Sequence, residues 1–190
     1  MKRGVDIGLS LVALLVFWPL LVGAALLARA DTGASGFFRQ ERIGRQGMMF
    51  RVIKLRTMRG EGGSTVTGIG DARITRLGAW FRRTKLDELP QLWNVLMGQM
   101  SLVGPRPDVA GFADCLAGDD RAFLALRPGI TGPASLKYRH EEQLLATQPD
   151  PERYNREVIW PDKVRLNLEY LRSYRLRDDL KCIWLTIFGP

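Results

Sequence analysis

TKLDELPQLW, Thr84–Trp93, sets two carboxylates, Asp87 and Glu88, directly after Arg82, Arg83 and Lys85 and just before Pro90. Apolar residues recur at helical spacing on both sides. Ile74, Leu77 and Phe81 mark one face, and Leu89, Leu92, Trp93 and Leu96 mark the next. Two helices meeting at the acidic pair is the resulting expectation. Asp87 then serves as N-cap of the second helix, with Pro90 tolerated in its first turn. The same residues have a chemical reading. A helix N-terminus ringed by cations attracts anions. A carboxylate placed there stays ionised and can hold a divalent ion through oxygen or attack phosphorus. The stretch alone leaves both readings open.

Working outward, the residues before it are strongly basic. GFFRQERIGRQGMMFRVIKLRTMR, Gly36–Arg59, carries seven Lys and Arg against one Glu. Phe37–Arg42 and Phe50–Leu55 have strand composition, and Gly44–Gly47 can turn between them, so a basic β-hairpin is expected. Glu61–Asp71 is Gly-rich and reads as a loop, without the spacing of a phosphate-cradling or dinucleotide motif. On the other side, SLVGPRPD, Ser101–Asp108, holds Arg106 between two prolines. Prolines stiffen the backbone around it, which suits a guanidinium clamp on phosphate at low entropic cost.

Ile7–Ala28 is uncharged and as one helix would rise about 33 Å, enough to cross a bilayer core. Pro19 divides it into arms of about 18 and 14 Å, each roughly one leaflet deep. Both flanks are basic, Lys2 and Arg3 before and Arg29, Arg39 and Arg42 after, so both ends favour the same side of a membrane. A straight span and a helix that dips in and returns both remain open on these residues.

The whole chain carries a formal charge of +8, which calls for an anionic partner. Two cysteines make no disulfide framework, and a single histidine, His140, argues against a His-based metal cluster or a Ser–His–Asp triad. Towards the C-terminus, Val164, Leu168 and Leu171 form a stripe that core packing explains. A last helix bearing Ile183, Trp184, Ile187 and Phe188, capped by Asp178 or Asp179, suits the headgroup layer.

Together FRQERIGRQG, KLRTM, LDELPQLWNVLMGQMSLVGPRP and RPGITG resemble the bacterial sugar transferase family, the small monotopic phosphoglycosyl transferases. The resemblance runs the length of the chain. It implies an α+β, mainly helical fold. Residues 1–30 would form a re-entrant membrane helix broken at Pro19. Residues 31–190 would form a catalytic domain on the cytoplasmic face of the bacterial inner membrane, with the basic hairpin, catalytic helices and interfacial amphipathic helices. It also implies transfer of a phosphosugar from a UDP-sugar to a polyprenol phosphate such as undecaprenyl phosphate, with release of UMP and dependence on Mg2+. On that pattern Asp87 and Glu88 are the catalytic pair and metal ligands: Asp87 is the nucleophile, and Glu88 either helps bind Mg2+ or assists the polyprenol phosphate in the second step. Lys54, Arg56, Arg82 and Arg106 become phosphate ligands, and membrane lipids are partners. Nucleic acid is not, although a non-catalytic basic module docking on anionic lipid or nucleic acid would share the charge. A homo-oligomer is left open. Two places depart from the family pattern. Trp18 precedes Pro19 where Ser is common, and PASLKYRH follows RPGITG where an aromatic residue and a glutamine are usual.

Overall fold

The computed structural model describes residues 1–60 and 71–189, so the Gly-rich loop, Asp71 apart, lies outside the described residues. A single helix, α1 (Lys2–Thr32), opens the chain and stops at Gly33, whose left-handed backbone returns its N–H to the Arg29 carbonyl. Pro19 lies inside this helix without ending it. Both expected arms therefore belong to one helical element, in which Pro19 removes its own N–H from the ladder.

Strands β1 (Phe37–Ile43) and β2 (Met49–Leu55) pair antiparallel from Phe37 opposite Leu55 to Ile43 opposite Met49. A short 3-10 turn, Arg45–Gly47, closes the hairpin as its glycines foretold, with Gln46 and Gly47 both at positive φ. Helix α2 (Arg76–Arg83) is capped by Thr75, whose hydroxyl accepts from the Gly78 N–H at 2.8 Å. A 3-10 turn, Leu86–Glu88, then leads to α3 (Gln91–Leu96). Pro90 occupies the N-cap position of α3 and no side chain caps it. The expectation that Asp87 caps this helix is overturned: the intervening turn leaves Asp87 too far upstream.

The two most distinctive motifs meet as a parallel pair, β3 (Ser101–Val103) and β4 (Gly129–Thr131). Glycine is what lets them touch. A Cβ on Gly129 would lie 2.1 Å from the Gly104 nitrogen, and one on Gly132 would lie 2.3 Å from the Gly104 oxygen. Three short helices follow, α4 (Pro133–Lys137), α5 (Glu141–Ala146) and α6 (Pro151–Tyr154). A π-helical turn joins α6 to α7 (Trp160–Arg172), and α8 (Leu176–Phe188) ends the described chain.

Among the described residues, four apolar clusters hold these elements. Val164 of α7 packs with Ile43, Ala113, Phe123 and Leu124, so the α7 stripe is core. In contrast, Leu180, Trp184, Ile187 and Phe188 of α8 are exposed. Asp178 and Asp179 sit in the first turn of α8 but do not cap it. Asp179 instead takes the Lys2 ammonium at 2.6 Å and the Tyr170 hydroxyl.

Both ends of α1 rest on this one domain. Near its start, the buried Asp6 carboxylate accepts from the Ser101 hydroxyl at 2.8 Å and from the Leu102 N–H. Arg3 donates to the carbonyls of Leu96 and Met100. Near its end, Ala24 and Ala28 are buried in a cluster with Leu55, Phe81 and Leu86. Between these anchors Val12, Leu15, Val16 and Trp18 are bare.

Candidate active site

Leu86, Asp87 and Glu88 are all buried, although they follow one another in sequence. Local geometry explains how. Lys85 adopts a left-handed backbone, φ 58°, which is uncommon for a residue with a side chain and redirects the chain into the 3-10 turn. The turn delivers two adjacent acids to one interior face, where a regular exposed helix would splay them apart.

Glu88 is the electrostatic centre. Its Oε1 accepts from Lys54 Nζ at 3.2 Å and from Arg106 Nη2 at 2.9 Å. Burial opposes its charge, but Arg106 and then Lys54 outweigh that, and the carboxyl is held well below the usual range. Lys54 responds in the opposite sense. Burial pulls its ammonium down, with Glu88 restoring part of the loss. Arg106 is driven up, chiefly by Glu88. The three form a charged knot in which one carboxylate oxygen takes both cations.

Asp87 differs. Its Oδ1 is buried and has no hydrogen-bond partner. Burial, and secondarily the Glu88 charge, raise its carboxyl, while Lys54, Lys85 and Arg82 pull it down. An unpartnered carboxylate oxygen keeps its lone pairs uncommitted, as a nucleophile or metal ligand requires. The residues also fit Mg2+. Such an ion binds one or two carboxylates and completes its shell with phosphate and water. Among the described residues there is no group of three or more His, Cys, Asp or Glu that would form an all-protein cage.

The loop carrying Arg106 is fastened on both sides. The Pro105 carbonyl accepts from the Gly129 N–H at 2.7 Å, and the Pro107 carbonyl faces Arg42. This accounts for the co-occurrence of GPRP and RPGITG: the second motif is the wall on which the first is mounted.

Of the expected phosphate ligands, Lys54 and Arg106 join the dyad directly. Arg82 acts on Asp87 through its charge, while its guanidinium is held by the Thr57 hydroxyl and the Met58 sulfur. Arg56 is turned elsewhere, donating to the Ser35 carbonyl and stacking on Phe38. Two residues escaped the sequence reading. Arg42 and Asp108 extend the charged surface beyond Arg106, and burial pushes the Asp108 carboxyl up to about 6 despite Lys163, Arg42 and Arg106. Asp108 had a signal, since it directly follows the GPRP motif. Arg42 had none beyond its place in a basic strand.

The chain is 38% identical over 197 residues to an undecaprenyl-phosphate glucose phosphotransferase of Komagataeibacter xylinus, covering 98% of this chain and 35% of that protein. It is 35% identical over 195 residues to a UDP-glucose:undecaprenyl-phosphate glucose-1-phosphate transferase of Escherichia coli (strain K12), covering 99% and 39%. It thus spans well under half the length of these relatives. Against the exopolysaccharide production protein ExoY of Rhizobium meliloti (strain 1021), it is 30% identical over 204 residues, covering 98% of this chain and 83% of the relative. The description "Bacterial sugar transferase" matches residues 1–189. With the acidic pair, its two cations and the glycine-backed arginine loop in place, the chain belongs to the bacterial sugar transferase family.

Proposed function

We propose that this protein transfers a sugar 1-phosphate from a UDP-sugar to undecaprenyl phosphate, releasing UMP. The observation that carries the reading is the pairing of Asp87, with its uncommitted oxygen, with the Glu88–Lys54–Arg106 knot beside it. The relatives' names support the substrate classes.

In the first half-reaction an oxygen of Asp87 bonds to the sugar-bearing phosphorus as its bridge to the nucleotide phosphate breaks. The electron pair leaves on UMP, and a phosphosugar–aspartyl intermediate remains. In the second, an oxygen of undecaprenyl phosphate attacks the same phosphorus, and the bonding pair returns to the Asp87 carboxylate. Lys54 and Arg106 face the charge on the transferring phosphoryl group, and Glu88 holds the two cations at one spot before substrate arrives. Asp87 with Glu88 would hold Mg2+, which when bound supplies neutralisation of the diphosphate.

The same reading takes α1 as a helix that enters the membrane and returns. Asp6 and Ala28 would stand about 33 Å apart on a straight axis, the thickness of a hydrocarbon core, yet both touch one domain. One domain does not sit on both faces of a bilayer. The bare apolar surfaces of mid-α1 and α8 then face lipid, and the site faces the cytoplasm, where nucleotide sugars are made.

The test is UMP release over a panel of UDP-sugars, with and without undecaprenyl phosphate, for wild type and Asp87→Asn. Sustained release that requires the lipid phosphate, with no more than one UMP per enzyme without it, and that is lost in the variant is expected. Sustained lipid-independent release would indicate a phosphatase instead, and undiminished turnover by Asp87→Asn would end the mechanism. A basic docking module would bind anionic vesicles with steep salt dependence and turn over nothing.

A further inference from the structure

Asn94 lies on α3, six residues after Glu88, and is fully buried. Its Oδ1 accepts from the Ile53 N–H at 3.0 Å, and its Nδ2 donates to the Arg51 carbonyl at 2.8 Å and to Gln99 Oε1 at 2.7 Å. Only one orientation of the amide satisfies all three, since an NH2 cannot accept and a carbonyl oxygen cannot donate. Bonding the carbonyl of one strand residue and the N–H two residues on is how a parallel neighbouring strand engages an edge. The side chain therefore takes the place of a peptide group on the open edge of β2 and blocks that edge. Ile53 is followed immediately by Lys54, whose ammonium reaches back to Glu88 at 3.2 Å. A closed circuit results, running from the acidic turn through α3 and Asn94 to β2, and through Lys54 back to Glu88.

We infer that Asn94 is a positioning residue for the transfer reaction, fixing the register of β2 so that Lys54 meets Glu88 beside Asp87. This rests on the transferase reading above. Loosening the strand by 1 Å would misplace the ammonium, a displacement of the size that costs about 100-fold in rate.

The experiment is a double-mutant cycle with Asn94→Ala and Lys54→Met, with kcat and KM read separately in the full chain. Asn94→Ala is expected to lower kcat/KM by about 100-fold, with the loss in kcat rather than KM. In the Lys54→Met background the same change is expected to cost little more, because its effect has already been removed. Equal losses in both backgrounds, or a loss confined to KM, would overturn the inference. If Asn94→Ala does not fold, hydrogen exchange on the wild type decides. The Ile53 amide should be protected as strongly as the β1-paired amides, and rapid exchange there would overturn the inference. Failure of the wild type to transfer phosphosugar would instead refute the function itself, so the two failures are distinct.

Discussion

Replacing Asp87 by Asn should abolish turnover and at the same time make the protein harder to unfold at neutral pH. Asp87 is 8% exposed, and its Oδ1 meets no donor. Unfolded, the carboxyl titrates near 3.8; folded, burial and then Glu88 raise it. A raised acid favours the fold while protonated and opposes it once ionised. Its penalty is therefore absent below pH 3.8, grows as pH rises through the folded value, and is constant above. An unsatisfied buried polar atom costs about 1–3 kcal/mol. Asn keeps the atom but removes the charge, so the recoverable share is about 1–2 kcal/mol. At about 2–4 °C per kcal/mol for a chain of this size, Tm should rise by about 2–8 °C. Thermal unfolding of substrate-free protein in detergent, at pH 7.5 and again near pH 4, measures it. The gain should be present at the higher pH and shrink at the lower. A lower Tm for the variant at pH 7.5, or a difference indifferent to pH, would show that Asp87 is a structural partner and refute the reasoning.

Other outcomes follow from the same contacts. Arg106→Lys keeps the charge but loses the planar fork beside Glu88, and should lower kcat/KM by about 10- to 100-fold with the fold intact by circular dichroism. Gly129→Ala forces a Cβ to 2.1 Å from backbone and should destabilise by about 1–3 kcal/mol, whereas Gly8→Ala, with nothing nearby, should not, as thermal unfolding of both would register. For topology, cysteines placed at Lys2 and Thr32, with the exposed Cys115 changed to Ser, should label from the same membrane face; opposite faces would exclude re-entry. Charging the bare face of α8 by Ile187→Glu should weaken vesicle association without altering the acidic pair, readable by flotation.

The hairpin was legible because its turn is written in glycines and its strands in apolar and β-branched residues, and only the strand ends shifted by a residue. The acidic pair and Arg106 were legible as chemistry. Their mutual geometry was not, because Lys54 reaches Glu88 across 34 positions, and no local pattern encodes that distance. The capping expectation for Asp87 failed for a local reason. Lys85 enters a left-handed conformation that its residue type does not advertise, which inserts a turn before α3. Asn94 reads in sequence as one polar residue on an apolar helix, and only its meeting with β2 gives it meaning. Arg56 was grouped with Lys54 by proximity in KLRTM, yet it lies just past the end of β2 and turns to Ser35 and Phe38.

The polar clasp at the start of α1 has a bearing on how the molecule is made. Asp6 closes on Ser101 across 95 residues, and Lys2 closes on Asp179 across 177. Synthesis at about 5–20 residues per second places the making of Lys2 about 9–35 s ahead of Asp179. Throughout that interval Lys2 has only Asp6, one turn along its own helix, as an ionic partner. On the membrane reading proposed above, α1 passes through a long provisional phase before α8 supplies Asp179 to Lys2. A nascent chain halted before α8 should thus hold the start of α1 through Arg3 and Asp6 alone, without the Lys2–Asp179 pair.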